Sequence, residues 1–235
     1  MSTDPQPPST AAQAAGGAGP LDAFLHALRR RTEAAPRPTP LPDQSNTALR
    51  AVRPAEELVA RFAAEAIAAG CVVHRVTEAN WLATVKDIVA SLSARLVLVQ
   101  PQSGTALTAE RAAALGNALG TAGCSAVSKW DDDTLFNCDA AVTGIVAAIA
   151  ETGTLVCVSG PAVARGASLI PPVHIALLDR TQIVGDLFDY FDRLASTGLP
   201  ANINLITGPS KTADIEGILI TGVHGPGVVH VLLLE

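Results

Sequence analysis

Short apolar runs alternate with amphipathic stretches from residue 54 to the end of the chain. The apolar runs predict strands at 71–76, 95–100, 138–143, 154–159, 173–179, 202–207 and 229–234. The stretches between them predict helices at 54–70, 80–92, 107–119 and 186–195, and a turn of helix in 144–150. This alternation predicts an α/β fold with a mostly parallel sheet covered on both faces, and ligand sites beyond the carboxyl ends of its strands.

The N-terminal region has a different pattern from the rest of the chain. Residues 1–19 are low in complexity and rich in proline, and we expect a disordered tail. Apolar positions spaced as in an amphipathic helix follow at 21–31, and the Pro-rich stretch 36–44 is typical of a stiff spacer. The predicted organisation is a tail at 1–19, a helix and linker at 20–53, and an α/β domain at 54–235.

Composition and charge narrow the function classes. Apolar residues make up 49% of the chain and aromatic residues 3%, so we expect an aliphatic core. A net charge of -6 and so few aromatic side chains disfavour nucleic-acid binding, which uses basic tracks and stacking platforms. The first ten residues lack a secretory signal pattern, and the apolar tract 140–150 is too short to span a bilayer. We expect a cytoplasmic protein that inserts into no membrane.

The four cysteines are Cys71, Cys124, Cys138 and Cys157. They are far apart, form no CxxC pair, and show no spacing typical of zinc or iron–sulfur ligands. We therefore expect buried structural thiols, with neither a metal site nor a cofactor in this chain.

Two loops carry polar residues next to predicted strands. The stretch "ETGT" (151–154) places Glu151 in a glycine turn, where its carboxylate either acts as a base or nucleophile or bonds to backbone amides of the turn. The stretch "RGASLIPPVHI" (165–175) combines Arg165, Ser168 and His174. Arg and Ser suit a carboxylate or phosphate ligand, whereas His174 is either a titrating group of the site or a satisfied, half-buried histidine.

The stretch "GPSKTADIE" (208–216) has a pattern typical of an anion site at a helix N-terminus. It is not a Walker A loop, because Ser210 stands where that motif requires a glycine before the lysine. Asp214 and Glu216 are candidates for a base, a metal ligand or an N-terminal charge on a helix. His224, in the glycine-rich loop "GVHGPG" (222–227), either completes the same rim or lies in a tight connection between strands.

The stretches "ETGTLV", "SLIPPVHI" and "TGPSKTADIEGILITGVHGPGVVHVLLLE", in this order, resemble the LUD domain, and within it the family of lactate utilization protein C (LutC, YkgG). The resemblance covers about residues 54–235 and is most specific in the C-terminal block, where the family pattern is close to GPSRTADIE…GVHGPR. Lys211 replaces the usual arginine, which keeps the charge but loses the bidentate fork, and Gly227 stands where a basic residue is common.

The resemblance implies a three-layer α/β/α sandwich similar to the group of ribose-5-phosphate isomerase, glucosamine-phosphate deaminase and CoA-transferases. It also implies a non-redox component of L-lactate oxidation to pyruvate, part of an L-lactate dehydrogenase complex with two partner proteins that hold iron–sulfur clusters. The other expected partners are a small carboxylate ligand and, if the chain self-associates, a second copy. Candidate catalytic residues are Glu151, Asp214 and His174, and candidate ligand-binding residues are Thr152, Gly153, Thr154, Arg165, Ser168, Ser210, Lys211, Thr212, Glu216, His224 and Gly225.

Two other function classes stay open at this point. Similar sheets support acyl-CoA transfer and ATP-dependent ligation, and Glu151 with Ser210 and Lys211 suits a stand-alone enzyme of either type. The other class is a small-anion binding module without turnover, in which Arg165, Ser168 and Lys211 hold a carboxylate.

Overall fold

The structure is a computed structural model that describes residues 20–33, 51–52, 57–213 and 219–235. Contacts divide the chain into two compact units, Met1–Asn46 and Thr47–Glu235. In the first unit, helix α1 (Pro20–Glu33) confirms the helix predicted at 21–31, and its apolar side chains Leu21, Phe24, Leu25 and Leu28 are exposed. The predicted tail at 1–19 and spacer at 36–44 lie outside the described residues.

The second unit contains the remaining elements. Its helices are α2 (Leu58–Ala69), α3 (Trp81–Ser91), α4 (Ala109–Thr121), α5 (Asp132–Asn137) and α6 (Leu187–Thr197), with 3-10 helices at Arg165–Ser168 and Arg180–Gln182. Its strands are β1 (Val72–Val76), β2 (Leu96–Gln100), β3 (Ser125–Val127), β4 (Ala140–Gly144), β5 (Ala147–Ile149), β6 (Thr154–Ser159), β7 (Val173–Asp179), β8 (Ile183–Val184), β9 (Asn202–Ile206), β10 (Lys211–Ala213), β11 (Leu219–Thr221) and β12 (Val228–Leu234). No helix in the described ranges has the length and apolarity needed to cross a bilayer.

The core is a six-stranded sheet with the order β1-β12-β7-β4-β2-β3, in which every neighbouring pair is parallel. Its central strands β7, β4 and β12 are buried along almost their whole length. A parallel strand that is covered on both faces needs apolar residues at successive positions, and the apolar runs of these strands provide them.

Helices α3 and α4 cover one face of this sheet. Trp81, Val85 and Ile88 of α3 and Leu115 and Leu119 of α4 share one buried cluster with the odd-numbered positions of β7. The Thr108 hydroxyl accepts a hydrogen bond from the backbone N–H of Arg111 and so caps the start of α4.

The other face is covered by α2, α5 and a second sheet. Phe62 and Ala66 of α2 pack with Ala176 and Leu178 of β7, and the same cluster includes Leu155 of β6. The second sheet has the order β8-β5-β6-β9 and is mostly antiparallel. Helix α6 lies on its outer side, where Tyr190 is buried among residues of β5, β6 and β8.

The predicted α/β fold with a mostly parallel sheet is confirmed, and two local predictions are wrong. The turn of helix predicted in 144–150 is strand β5, because Ala148 faces the inner cluster while Ala147 and Ile149 face α6, the alternation of a strand buried on both sides. Helix α2 begins at Leu58 and excludes Glu57 of the predicted helix, since Glu57 is in an extended conformation and its carboxylate accepts from the N–H of Val59; residues 54–56 lie outside the described residues.

Candidate functional site

A polar cleft opens where the chain changes direction between the ends of β2 and β4. After β2 the chain enters α4 on one face of the sheet, whereas after β4 it passes through Ile145 into the second sheet on the other face. The two strands are neighbours, so their carboxyl ends diverge at a topological switch point. Ligands of open parallel sheets bind in such crevices.

Five elements line this cleft. Gln100 comes from β2, Thr143 and Gly144 from β4, Cys157 and Val158 from β6, Arg165 and Ser168 from the 3-10 helix, and Asn204 from β9. The free volume is about 10 Å³, which is the room for about one water molecule. A larger ligand therefore needs the cleft to widen.

Gln100 has a fixed side-chain orientation and an unused donor. It is 1% exposed, and its Oε1 accepts a hydrogen bond from the backbone N–H of Ala164 at 3.0 Å. This bond identifies the oxygen of the amide, because an N–H can donate only to an acceptor. The Nε2 group is buried and has no hydrogen-bond partner among the described residues. A buried unpaired donor is costly, so its presence in a cleft points to an acceptor on a ligand.

His174 lies behind the cleft and contacts it through Thr143. It is fully buried on β7, and its Nε2 is 2.8 Å from the Thr143 hydroxyl, while Nδ1 has no partner in the described part of the chain. Burial lowers the pKa of His174 from 6.5 to about 4, so the imidazole is neutral at neutral pH. A neutral imidazole donates from one nitrogen and accepts at the other, which lets it set the direction of the Thr143 O–H.

Cys157 and Ser168 also line the cleft. Complete burial raises the pKa of the Cys157 thiol to about 12, and a hydrogen bond from the Ser168 side chain offsets only part of that effect. A thiol with this pKa stays protonated and is a poor nucleophile. Ser168 is itself buried, and its hydroxyl is also 3.4 Å from the Arg165 carbonyl oxygen.

The cleft has positive polarity. Arg165 is the one charged side chain among the described residues that line it, and it is exposed at the rim. Gln100 Nε2 and the Thr143 hydroxyl are the neutral groups that add donor capacity to the cleft. A guanidinium offers two parallel N–H groups that match the two oxygens of a carboxylate. This donor set suits a small anion.

The segment with Ser210 and Lys211 does not form a helix N-terminus. Lys211, Thr212 and Ala213 make up strand β10, which pairs antiparallel with β11. The Nζ of Lys211 donates to the carbonyl oxygen of Ala69 at 3.1 Å, and thus binds the carboxyl end of α2. Asp214 and Glu216 lie outside the described residues.

The loop with His224 and Gly225 packs on this segment at the amino ends of β7 and β12. The N–H of Ser210 donates to the carbonyl oxygen of Pro226 at 2.9 Å, and a Cβ on Gly225 would come within 3.1 Å of the Ser210 Cβ. His224 is exposed. These residues thus lie at the amino ends of the strands, while Arg165, Ser168 and Thr143 meet at carboxyl ends.

The "ETGT" stretch forms the turn between β5 and β6. Gly153 has φ of +64° and lies so close to α2 that a Cβ would overlap the backbone of Glu65 and Ala66. The hydroxyls of Thr152 and Thr154 are 2.6 Å apart, and Thr154 continues to the hydroxyl of Thr207 at 2.7 Å. The backbone N–H of Glu151 donates to Gly185, and the residue is not among those that line the cleft.

The structure therefore separates the residues expected to form one site. Arg165 and Ser168 line the cleft, and His174 reaches it through Thr143. The sequence analysis missed Gln100, Thr143 and Asn204. A signal for the first two was present, because each is a polar residue near the end of an apolar strand, where a ligand site of a parallel sheet is expected.

The fold and the cleft define a class of protein: an α/β protein with a parallel sheet, a second sheet on one face, and a polar cleft at the switch point between β2 and β4. The family model for the LUD domain matches residues 59–234. The chain belongs to the LUD domain family, which confirms the resemblance seen in the sequence.

Individual relatives agree with this assignment. An uncharacterized protein of Neisseria meningitidis is 32% identical over 164 residues, which are 69% of this chain and 70% of that protein. Lactate utilization protein C of Bacillus subtilis is 36% identical over 112 residues, 43% of this chain and 47% of that protein, so the aligned part spans about half of that relative. A crystal structure of a DUF162 family protein from Deinococcus radiodurans has the same fold, with a TM-score of 0.51, 22% identity, and coverage of 76% of this chain and 96% of that one.

Proposed function

We propose that this protein is a component of a lactate utilisation system and that it binds a small carboxylate in the cleft between β2 and β4. Its similarity to lactate utilization protein C of several bacteria supports the system. The observation that supports the ligand is the donor set of the cleft, in which the buried Gln100 Nε2 has no partner among the described residues and Arg165 is the charged group at the rim.

The proposal assigns the electron carriers to iron–sulfur partner proteins. Oxidation of lactate to pyruvate releases two electrons, which need an acceptor. The four cysteines of this chain are buried and unpaired, and they are distributed over three separate hydrophobic clusters. Burial raises the pKa of each of these thiols, which disfavours the thiolate form that binds metal. Within the described residues, no group of three or more metal-binding side chains is present.

A reconstitution experiment tests the role in lactate oxidation. L-lactate-dependent dye reduction is measured with this protein alone, with the two iron–sulfur partners alone, and with all three together. We expect activity only in the complete set. Full activity of the two partners without this protein would contradict the proposed role, and would shift attention to the alternative of a stand-alone enzyme with a CoA ester or a nucleotide as substrate.

A thermal-shift experiment separates this proposal from that alternative. A ligand that binds only the folded state raises the melting temperature, and the rise grows with the ratio of ligand concentration to Kd. We expect stabilisation by small carboxylates and none by CoA or ATP. The Arg165→Ala variant is the control, because it removes the cation at the rim while the buried donors stay in place.

A further inference from the structure

We infer that the cleft is built for a 2-oxo carboxylate and that Gln100 distinguishes it from the corresponding 2-hydroxy acid. This inference rests on the proposed function and names the ligand class of the same site. It implies that the protein holds the oxidised member of the pair, pyruvate, more tightly than L-lactate.

The first step is the direction of the hydrogen bonds at Gln100. Its Oε1 is engaged by the N–H of Ala164, so the group that faces an incoming ligand is the Nε2 donor. An oxo oxygen has lone pairs and no proton, and it satisfies this donor without adding a group that needs a partner of its own. The hydroxyl of a 2-hydroxy acid can also accept, but it brings a proton that has to find an acceptor.

The second step is the direction of the hydrogen bond between the Thr143 hydroxyl and His174. His174 is neutral and its Nε2 lies 2.8 Å from the Thr143 oxygen. When Nε2 carries the imidazole proton, the Thr143 oxygen accepts from His174 and its own proton points away from the histidine. Thr143 then presents a second donor to the cleft. In that tautomer Gln100 and Thr143 both present donors to a ligand, and an oxo oxygen has two lone pairs with which to accept them.

The third step is shape. The free volume of the cleft is about 10 Å³, so the cleft has to widen for a three-carbon acid, and Val158, Val163 and Cys157 are among the residues that line it. In a 2-oxo acid C2 is trigonal, and its substituents lie in one plane. In a 2-hydroxy acid C2 is tetrahedral, so it carries an additional hydrogen and its substituents do not share one plane. The planar acid therefore requires the smaller widening of the cleft, which favours it in a closely packed interior. Arg165 at the rim takes the carboxylate in either case and does not discriminate.

The experiment is isothermal titration calorimetry of the full chain with pyruvate, L-lactate and propanoate, which share the carboxylate and differ at C2. We expect pyruvate to bind at least about tenfold more tightly than L-lactate, because a ligand hydroxyl that is buried without an acceptor for its proton costs about this factor. Equal affinities, or tighter binding of L-lactate, would overturn the inference.

Two pairs of variants locate the effect. In Gln100→Glu the side chain keeps its shape and can still accept from the Ala164 N–H, but the donor is replaced by an acceptor that is negatively charged when ionised, and we expect pyruvate affinity to fall at least about tenfold. The matched control is Asn117→Asp on α4, which makes the same amide-to-carboxylate change on the opposite face of the sheet and should leave affinity unchanged. Thr143→Val should reduce the preference for pyruvate, and Thr143→Ser should retain it.

The outcomes distinguish this inference from the proposed function. Unchanged preference in Gln100→Glu, with the variant folded by its melting curve, overturns the role of Gln100. Absence of binding by every carboxylate overturns the cleft as their site. The dye-reduction experiment with the iron–sulfur partners reports the role in lactate oxidation separately, so a failure there leaves the pyruvate preference measurable on the isolated protein.

Discussion

The Oε1 atom of Gln100 accepts a hydrogen bond from the backbone N–H of Ala164 at 3.0 Å. This bond joins the end of β2 to the residue that precedes the 3-10 helix, so the side chain both fixes one wall of the cleft and presents its Nε2 to the interior. A strand end and a loop that are 64 positions apart in sequence are thereby held together by one amide group.

Arg165 is expected to supply affinity for the carboxylate without contributing to stability. Its side chain is exposed at the rim, so Arg165→Ala should change the free energy of unfolding by less than about 0.5 kcal/mol. Loss of a charge-assisted bidentate contact should weaken pyruvate binding by about tenfold or more. Calorimetry and urea unfolding on the same sample measure both. Arg165→Lys keeps the charge and should recover part of the affinity, and wild-type affinity in Arg165→Ala would remove this residue from the site.

Lys211 is expected to have no role in the cleft. Its Nζ binds the carbonyl oxygen of Ala69 at the end of α2, and the residue is exposed. Lys211→Met should therefore leave carboxylate affinity unchanged and cost at most about 1 kcal/mol of stability. Titration with pyruvate is the measurement. A loss of affinity comparable to that of Arg165→Ala would show that the "GPSK" segment belongs to the same anion site after all.

His174 is expected to make stability depend on pH below neutrality. Its pKa is about 4 in the folded protein and 6.5 when unperturbed, so between these values the unfolded chain binds a proton that the native state excludes. The contribution of His174 to the free energy of unfolding is complete above about pH 6.5 and is lost as the pH falls toward about pH 4. The free energy of unfolding measured in urea should be about 2 kcal/mol lower at about pH 5 than at about pH 7.5 because of this residue.

The His74 and His230 pair also makes the folded protein less stable as the pH falls. Their ring nitrogens are 3.1 Å apart, and burial lowers the pKa of both, that of His230 to about 4 with a further effect of the His74 charge. Comparison of wild type with His174→Gln isolates the contribution of His174, because the pair remains in both. An unchanged pH profile in His174→Gln would contradict the prediction.

Gly153 is expected to tolerate no side chain. Its φ is +64°, and a Cβ would overlap the backbone of α2. We expect Gly153→Ala to destabilise the protein by about 2 kcal/mol or more, through backbone strain and displacement of the helix. Gly120 in α4 is the matched control, since a Cβ there meets nothing within 4 Å, and Gly120→Ala should stabilise by up to about 1 kcal/mol. Thermal or urea unfolding of both variants is the test, and a neutral Gly153→Ala would show that the turn can move away from α2.

The elements that the sequence predicted well are those whose pattern is local. The runs 95–100, 173–179 and 229–234 predict β2, β7 and β12 because a strand covered on both faces needs successive apolar residues. The segment 144–150 failed because a short Ala-rich run has no clear period, and only the cover from α6 on one side and α2 on the other shows that it is a strand.

The sequence by itself determined the α/β class, the strands of the parallel sheet and the family, because these depend on periodicity and on contiguous motifs such as "GPSKTADIE". Only the tertiary structure decided which polar residues share a site. Arg165 meets Gln100 and Thr143 because strand order and crossovers bring three distant segments to one switch point, whereas Lys211 is directed to α2 by the path of β10. Strand order is set by packing between distant segments, and no local pattern encodes it.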